Sequence, residues 1–186
     1  MYRHRWIAMP AGMALVTMAL GAGANEHREH GAHVHGVGQL NAVLDGTTLE
    51  IELDSPAANL VGFEHAPRND EEHARYDKTF AQLRQGEVLF ILPVAAGCRL
   101  DSVNLTGEGV ADPKAEHHHD GDEAEHSHSD INGYYRFHCA KPEALNAIEV
   151  HLFELFPATK SLEVQSIGPN GQGGGKLTAD DPILSF

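Results

Sequence analysis

Residues 114–130, KAEHHHDGDEAEHSHSD, contain no large apolar side chain, so this segment cannot join a hydrophobic core. It has nothing to bury that would offset the entropy of ordering its backbone. We therefore expect residues 112–130 to form a flexible, disordered loop, and the fold to be built from the sequence on either side. The histidines of the loop are His117, His118, His119, His126 and His128.

The side chains of this loop carry the donor atoms of a metal-binding segment. Imidazole and carboxylate are the ligands that borderline divalent ions such as Zn²⁺ prefer, although imidazole also suits Ni²⁺ and Cu²⁺. Because the loop has neither helical periodicity nor caps, each bound ion must order the chain, which predicts weak and exchangeable sites. A solvated acidic loop is the alternative interpretation. A tag-like artefact is disfavoured by the internal position of the segment.

The N-terminus predicts export. Two arginines precede an apolar run over residues 6–20, and the sequence AGA at 22–24 forms a small-x-small cleavage site. Residues 1–24 are therefore expected to be a cleaved signal peptide and the mature protein to be exported. The apolar run is short for a membrane-spanning helix, and an uncleaved membrane anchor is the alternative.

Net charge and chain length limit the possible partners and the number of domains. The formal net charge of −14 disfavours nucleic acid and anionic membranes as partners and suits a protein that attracts cations. The 186 residues are enough for one domain with a hydrophobic core. We assign residues 25–35 to a His-rich N-terminal arm and residues 36–186 to a single β-rich metal-binding domain.

Cys98 and Cys139 are the two cysteines of the chain. In an oxidising compartment such a pair is more often a disulfide than a metal site. A bridge would close a loop of about 40 residues that contains the His-rich segment, contributing about 4 kcal/mol to stability. A pair of thiolate ligands is the alternative.

Alternating apolar and polar positions predict a mainly β (α+β) fold. Residues 37–44 and 49–53 alternate as half-buried strands do, and Asp45-Gly46 between them is a hairpin signal. Many short strands separated by turns favour an antiparallel β-sandwich or an open barrel. Further strands are predicted over residues 88–93, 99–110, 133–139, 147–153, 161–167 and 183–186, and a glycine-rich turn over 168–175.

One amphipathic helix is predicted to lie on the sheet. Asn69 can cap it, Glu72 completes a capping-box spacing, and Gly86 supplies the stop. His73 shares the apolar stripe of the helix, which favours a partly buried packing residue over a metal ligand. The stripe consists of Tyr76, Phe80 and Leu83.

A structured metal site is predicted where the N-terminal arm meets the first strand. His33 and His35 are two residues apart, so in an extended segment both imidazoles point the same way and can reach one ion. They directly precede a strand, which holds them on a scaffold that the insertion lacks. A stable site needs three or four ligands. The further candidates are His30, then Glu64 and His65 in GFEH, and, with less support, His138 and His151, which we expect to face solvent.

The sequence carries no signature of an enzyme. It has no HExxH, no GxSxG and no GxGxxG that opens a helix, and the glycines at 171–175 lack the Lys-Ser/Thr ending of a P-loop. A catalytic zinc ion would also need a shaped cleft and a general base. We therefore expect a protein without catalytic activity, with a zinc hydrolase as a weaker alternative.

Four motifs stand out along the chain: AHVHGVGQLNAVLDG, SPAANLVGFEHAP, GYYRFHC and HLFELFP. Together they resemble the ZrgA family of periplasmic proteins associated with zinc acquisition. The resemblance covers essentially the whole mature chain and implies a periplasmic zinc-binding protein that supports uptake. The family's His-containing N-terminal motif falls on His33 and His35, and its variable His-rich stretch on residues 117–128.

We expect an accessory protein that captures or buffers Zn²⁺ for uptake, with one structured site near His33 and His35. Its partners would be zinc ions and a periplasmic or inner-membrane zinc uptake system. The alternative is a metal- or pH-responsive interaction module that forms a homodimer through bridging histidines, because histidine titrates near neutrality.

Overall fold

The computed structural model describes residues 34–107 and 129–186, all of which belong to one unit, Ala32–Phe186. The signal-peptide prediction and most of the His-rich loop lie outside these residues. The strands are β1 (Val37–Asp45), β2 (Thr48–Pro56), β3 (Phe90–Ile91), β4 (Cys98–Gly107), β5 (Asp130–Cys139), β6 (Ala147–Val150), β7 (Ser161–Gly168), β8 (Gly171–Thr178) and β9 (Ile183–Ser185). The α-helices are α1 (Ala57–Leu60), α2 (Asp70–Leu83), α3 (Gly86–Leu89) and α4 (Leu152–Leu155).

The strands form two sheets, which confirms the mainly β class. Six strands pair in the order β4-β5-β2-β1-β7-β8, and three pair in the order β3-β6-β9. The pairing is antiparallel except at one position, where β1 and β7 run parallel. Over the described residues the sheets stay open and do not close into a barrel.

One face of the large sheet packs on the core. Leu40, Leu49, Ile51 and Leu53 of β1 and β2 are almost fully buried, whereas the residues between them face outward. The long helix α2 begins after Asn69 as predicted, and it buries Tyr76, Phe80 and Leu83. It ends at Leu83, and Gly86, the predicted stop, is instead the first residue of α3. His73 lies on its exposed side, so its predicted partial burial was wrong.

Three segments differ from the predicted secondary structure. The strands predicted over 88–93 and 147–153 are present but shorter, as β3 and β6, and the single helical turns α3 and α4 take residues 88–89 and 152–153. In α4, Leu152 and Phe153 are both buried, whereas neighbours on a strand would face opposite sides. The predicted glycine-rich turn is mostly β8, an exposed edge strand. Its backbone pairs with β7, and this pairing needs no side chain. No helix among the described residues is both long and apolar enough to cross a bilayer.

The predicted disulfide is present between Cys98 and Cys139. It joins the first residue of β4 to the last residue of β5, which face each other in the strand register. The bridge excludes the alternative of two thiolate ligands, because neither sulfur is a thiolate. It closes the β4–β5 pair at the end opposite to the His-rich insertion.

Candidate metal site

His35 lies in a tight turn directly before β1. The N–H of Val37 donates to the carbonyl of Val34 at 2.9 Å, and Gly36 adopts a φ of 84°. A positive φ at the third residue of such a turn is typical of a type II turn, in which glycine is favoured. The His35 side chain is 69% exposed, so the turn presents this imidazole to solvent.

The turn is held on one side by the buried amide of Asn59 in α1. Asn59 Oδ1 accepts a hydrogen bond from the N–H of Gly36 at 2.7 Å. Its Nδ2 donates to the carbonyl of Val37 and to Oγ of Ser55, both at 3.2 Å. Because Asn59 is only 2% exposed, water competes little for these bonds.

The other side of the turn is tied to the segment that leads into β7. The carbonyl of Gly36 accepts hydrogen bonds from the N–H groups of Lys160 and Ser161, at 2.7 and 3.0 Å. The fit is close, because a Cβ added at Gly36 would lie 3.1 Å from Cγ of Lys160. His35 therefore stands on a backbone that is fixed from two directions.

Glu64 approaches His35 from the connection between α1 and α2. Its Oε1 lies 2.9 Å from Nε2 of His35. The Glu64 side chain is only 18% exposed, so the carboxylate forms the covered side of the pair and the imidazole the open side. The structure thus brings together two of the predicted ligands that are 29 positions apart in the sequence.

His65, the next residue, points elsewhere. Its Nδ1 is 3.0 Å from the carbonyl of Ala66 and 3.9 Å from Oε2 of Glu72, and its ring stacks on Phe63 at 5.0 Å. A carbonyl oxygen can only accept, so the close contact assigns the proton to Nδ1 and leaves the lone pair on Nε2. This is the arrangement in which metal-binding histidines are commonly oriented.

Glu72 links this connection to the start of α2. Its carboxylate accepts a hydrogen bond from the N–H of Arg68 at 2.7 Å, and its own N–H donates to Oδ1 of Asn69 at 3.0 Å. The hydrogen bond from the N–H of Arg68 is the largest cause that holds the pKa of Glu72 below its usual value. The predicted capping residues therefore tie the end of the connection, at Arg68, to the first turn of α2.

The other two candidates on strands do not join this site. His138 is exposed near the end of β5, paired with Thr48, roughly 25 Å along the sheet from the start of β1. His151 is half-buried between Glu149 and Glu154, at 3.1 and 3.8 Å, at the end of β6 in the small sheet. Within residues 34–107 and 129–186, no three potential ligands converge on one position.

The remaining predicted ligands lie outside the described residues. They are His30, His33 and the histidines of the insertion, His117, His118, His119, His126 and His128. The places where their segments attach are described, however. His33 is two residues from His35, and the insertion leaves β4 after Gly107 and re-enters at Ser129.

Both attachment points lie at the same end of the large sheet. The N–H of Ala57 donates to the carbonyl of Ser129 at 2.8 Å, and Asp130 pairs with Pro56 at the end of β2. Strands lie about 4.8 Å apart, so the ends of β5 and β4 are about 10 to 14 Å from the start of β1. The insertion therefore departs from the domain next to the His35 turn.

Sequence reasoning missed Asn59, which makes more hydrogen bonds to the site than any predicted ligand does. A lone asparagine in a short connection resembles an ordinary surface residue, and its burial depends on contacts 23 positions away in the sequence. One indirect signal in the sequence could have pointed to Asn59. It lies within SPAANLVGFEHAP, the motif that also contains Glu64.

Comparison with known proteins gives one clear match. The family model described as "ZrgA family zinc uptake protein" matches residues 32–186, which include every described residue and the whole site. This confirms the resemblance drawn from the sequence motifs. No curated protein matches the chain.

Proposed function

The chain belongs to the ZrgA family of zinc uptake proteins, and on this basis we propose that it is a periplasmic accessory protein that captures or buffers Zn²⁺. Zinc is its cargo, and no catalytic step is involved. The observation that carries the proposal is the 2.9 Å contact between His35 Nε2 and Glu64 Oε1. Imidazole and carboxylate are both zinc ligands, and here they meet at the edge of the domain, open to solvent on the histidine side.

The spacing of the two donor atoms suits one shared ion. With zinc–ligand bonds of about 2.1 Å, two ligand atoms on a tetrahedral ion lie about 3.4 Å apart. His35 and Glu64 would need to separate by only a few tenths of an ångström to hold zinc between them. The exposed imidazole can make this movement, whereas the largely covered carboxylate supplies the fixed side.

The third ligand in this proposal is His33. It stands two residues before His35, so it is tethered within reach of an ion bound to His35. His65 contributes its available Nε2 if the connection rearranges around the ion. A site completed from the N-terminal arm is half preformed, which favours capture and release over permanent retention.

The His-rich insertion acts in this proposal as a collector. Its many imidazoles raise the local concentration of zinc, and its attachment beside the His35 turn keeps those ions near the structured site. The negative net charge of the chain adds a long-range attraction for cations. The insertion would therefore increase the rate of capture more than the final affinity.

A binding role fits the site better than a catalytic one. A catalytic zinc ion requires a shaped cavity that excludes water and a general base within it. A cavity of about 570 Å³ lies on the outer face of β1, β2, β4 and β5, but neither His35 nor Glu64 lines it. The exposed His35 turn suits exchange of an ion with a partner.

Zinc titration of the mature protein tests this proposal. The wild type is compared with a chain lacking residues 114–128, with His35→Ala and Glu64→Gln, and with His138→Ala as a matched control on a distant exposed histidine. We expect the deletion to remove only weak sites and the first two substitutions to weaken a tighter site. The control should leave both classes unchanged.

The proposal would be rejected if His35→Ala retained the tight site, or if the deletion left the stoichiometry unchanged. Competition with Ni²⁺ and Cu²⁺, together with elemental analysis of protein from its native compartment, identifies the metal. Sedimentation with and without zinc tests the alternative of a histidine-bridged homodimer, which should form only with metal.

A further inference from the structure

We infer that Asn59 is a positioning residue of the zinc site. It does not touch the ion, but it fixes the backbone that carries His35 and thereby sets the affinity for zinc. This inference rests on the proposed site at His35 and Glu64, and it adds to that site a buried residue outside the ligand set.

The hydrogen bonds of Asn59 are concentrated on the two residues that follow His35. Its amide oxygen accepts a hydrogen bond from the N–H of Gly36, and its amide nitrogen donates one to the carbonyl of Val37. The side chain therefore binds one N–H and one carbonyl of the same turn. A second bond from the nitrogen to Ser55 orients the amide itself. The side chain therefore holds the turn through both a donor and an acceptor of its backbone.

Asn59 also connects the turn directly to the segment that bears the carboxylate. It lies in α1, five residues before Glu64, in the same connection between β2 and α2. The path from His35 to Glu64 thus runs through the hydrogen bonds of one buried side chain and a few residues of chain. The distance between Nε2 and Oε1 consequently depends on Asn59.

Groups that orient metal ligands without touching the metal commonly change affinity by about 10- to 100-fold when they are replaced. Removing Asn59 would leave the N–H of Gly36 without its acceptor and allow the turn to shift. The imidazole of His35 would then sample positions away from Glu64. We expect zinc to bind more weakly because the pair is no longer held together, while both ligands remain present.

The first experiment measures zinc affinity of the full mature chain by competition with a chelator. Asn59→Ala should weaken the tight site by about 10- to 100-fold. Thr79→Val is the matched control, because Thr79 is also buried and its Oγ1 donates to the carbonyl of Leu60, the neighbour of Asn59. This control removes a polar contact to α1 without touching the turn, and it should leave affinity within about threefold of wild type.

A double-mutant cycle separates positioning from general stability. In a His35→Ala background, Asn59→Ala should cause no further loss of zinc affinity, whereas its effect on the thermal midpoint should be the same in both backgrounds. Equal weakening with and without His35, or an affinity within threefold of wild type for Asn59→Ala, would overturn the inference.

If Asn59→Ala does not fold, Gly36→Ala provides a second route. That change strains the turn while leaving Asn59 in place, and it should also weaken the tight site at least tenfold. Retained affinity in a folded Gly36→Ala variant would overturn the inference as well. If His35→Ala itself leaves the tight site intact, the proposed function fails. If only the Asn59 and Gly36 variants bind normally, the positioning role alone fails.

Discussion

The side-chain oxygen of Asn59 accepts a 2.7 Å hydrogen bond from the backbone N–H of Gly36. This bond joins the turn before β1 to the short helix after β2, and so connects two motifs that the sequence separates by more than 20 residues. The His35 turn and the GFEH segment are therefore parts of one structural unit. Their proximity brings Nε2 of His35 within 2.9 Å of Oε1 of Glu64.

The turn itself requires glycine at position 36, which gives a first prediction. Gly36→Ala should lower the free energy of unfolding by about 1–3 kcal/mol, because a residue with a Cβ is strained at a φ of 84° and would press on Lys160. Gly46→Ala is the control, since Gly46 has a φ of 56° with open space around an added Cβ. Chemical denaturation measures both variants. Equal losses would show that crowding against Lys160 contributes nothing.

Sequence patterns predicted the large sheet well because its strands are amphipathic. The alternation in β1 and β2 reports directly which face of each strand is buried, and the Asn69 and Glu72 signals report the start of α2. The same reasoning failed at β8, since strands built from glycine have no side-chain pattern. It also failed at α3 and α4, where four residues are too few to reveal a period.

The candidate site was predictable only as a set of residue types. His35 and Glu64 stood out as donors, and their motifs pointed to a common family. Their contact, however, depends on how the turn before β1 and the connection after β2 meet at the end of the β1–β2 hairpin. His138 and His151 are equally suitable metal ligands by residue type. His138, however, lies far along the large sheet, and His151 lies at the end of β6 in the small sheet. Asn59 could not be found as a candidate metal ligand, because its proposed contribution comes from buried hydrogen bonds to the turn.

The disulfide gives a second prediction. Replacing both cysteines, Cys98→Ala with Cys139→Ala, should lower the free energy of unfolding by about 4 kcal/mol, since the bridge closes a 41-residue separation in the unfolded chain. The tight zinc affinity should not change, because the bridge lies at the end of the sheet opposite to His35. Denaturation and zinc titration of the same variant check both statements. A loss below about 1 kcal/mol would contradict the first, and a lost tight site the second.

A third prediction concerns Tyr135 in the core. Its ring packs edge-on against Phe90 at 5.0 Å, its hydroxyl is buried, and no described residue forms a hydrogen bond with that hydroxyl. This burial also raises the pKa of Tyr135. Tyr135→Phe should increase the free energy of unfolding by about 1 kcal/mol, because it removes a polar group that lost its water on folding. The exposed Tyr134→Phe on the same strand should change stability little, and a clear loss for Tyr135→Phe would refute the argument.

The start of α2 provides a prediction on pH. The pKa of Glu72 is lowered, first of all by the hydrogen bond from the N–H of Arg68, so the folded state favours the ionised carboxylate. Its contribution to stability is therefore present above the ordinary carboxyl pKa of 4.5 and is lost as the pH falls through the lower folded value. Urea midpoints from neutral pH downward should fall less steeply in acid for Glu72→Gln than for wild type. Glu71→Gln, which removes a surface ion pair with Arg75, should keep the wild-type slope.

Zinc-dependent stability distinguishes the structured site from the collector. An ion that binds only the folded state raises the free energy of unfolding, by about 2.7 kcal/mol when its concentration is 100 times the Kd. An insertion that is disordered before and after unfolding, as the sequence predicts for residues 112–130, binds zinc equally in both states and adds no stability. Zinc should therefore stabilise the wild type and the variant lacking residues 114–128 to the same extent, and it should fail to stabilise His35→Ala. Thermal unfolding with and without zinc measures this, and a stabilisation that disappears with the insertion would place the tight site there instead of at His35 and Glu64.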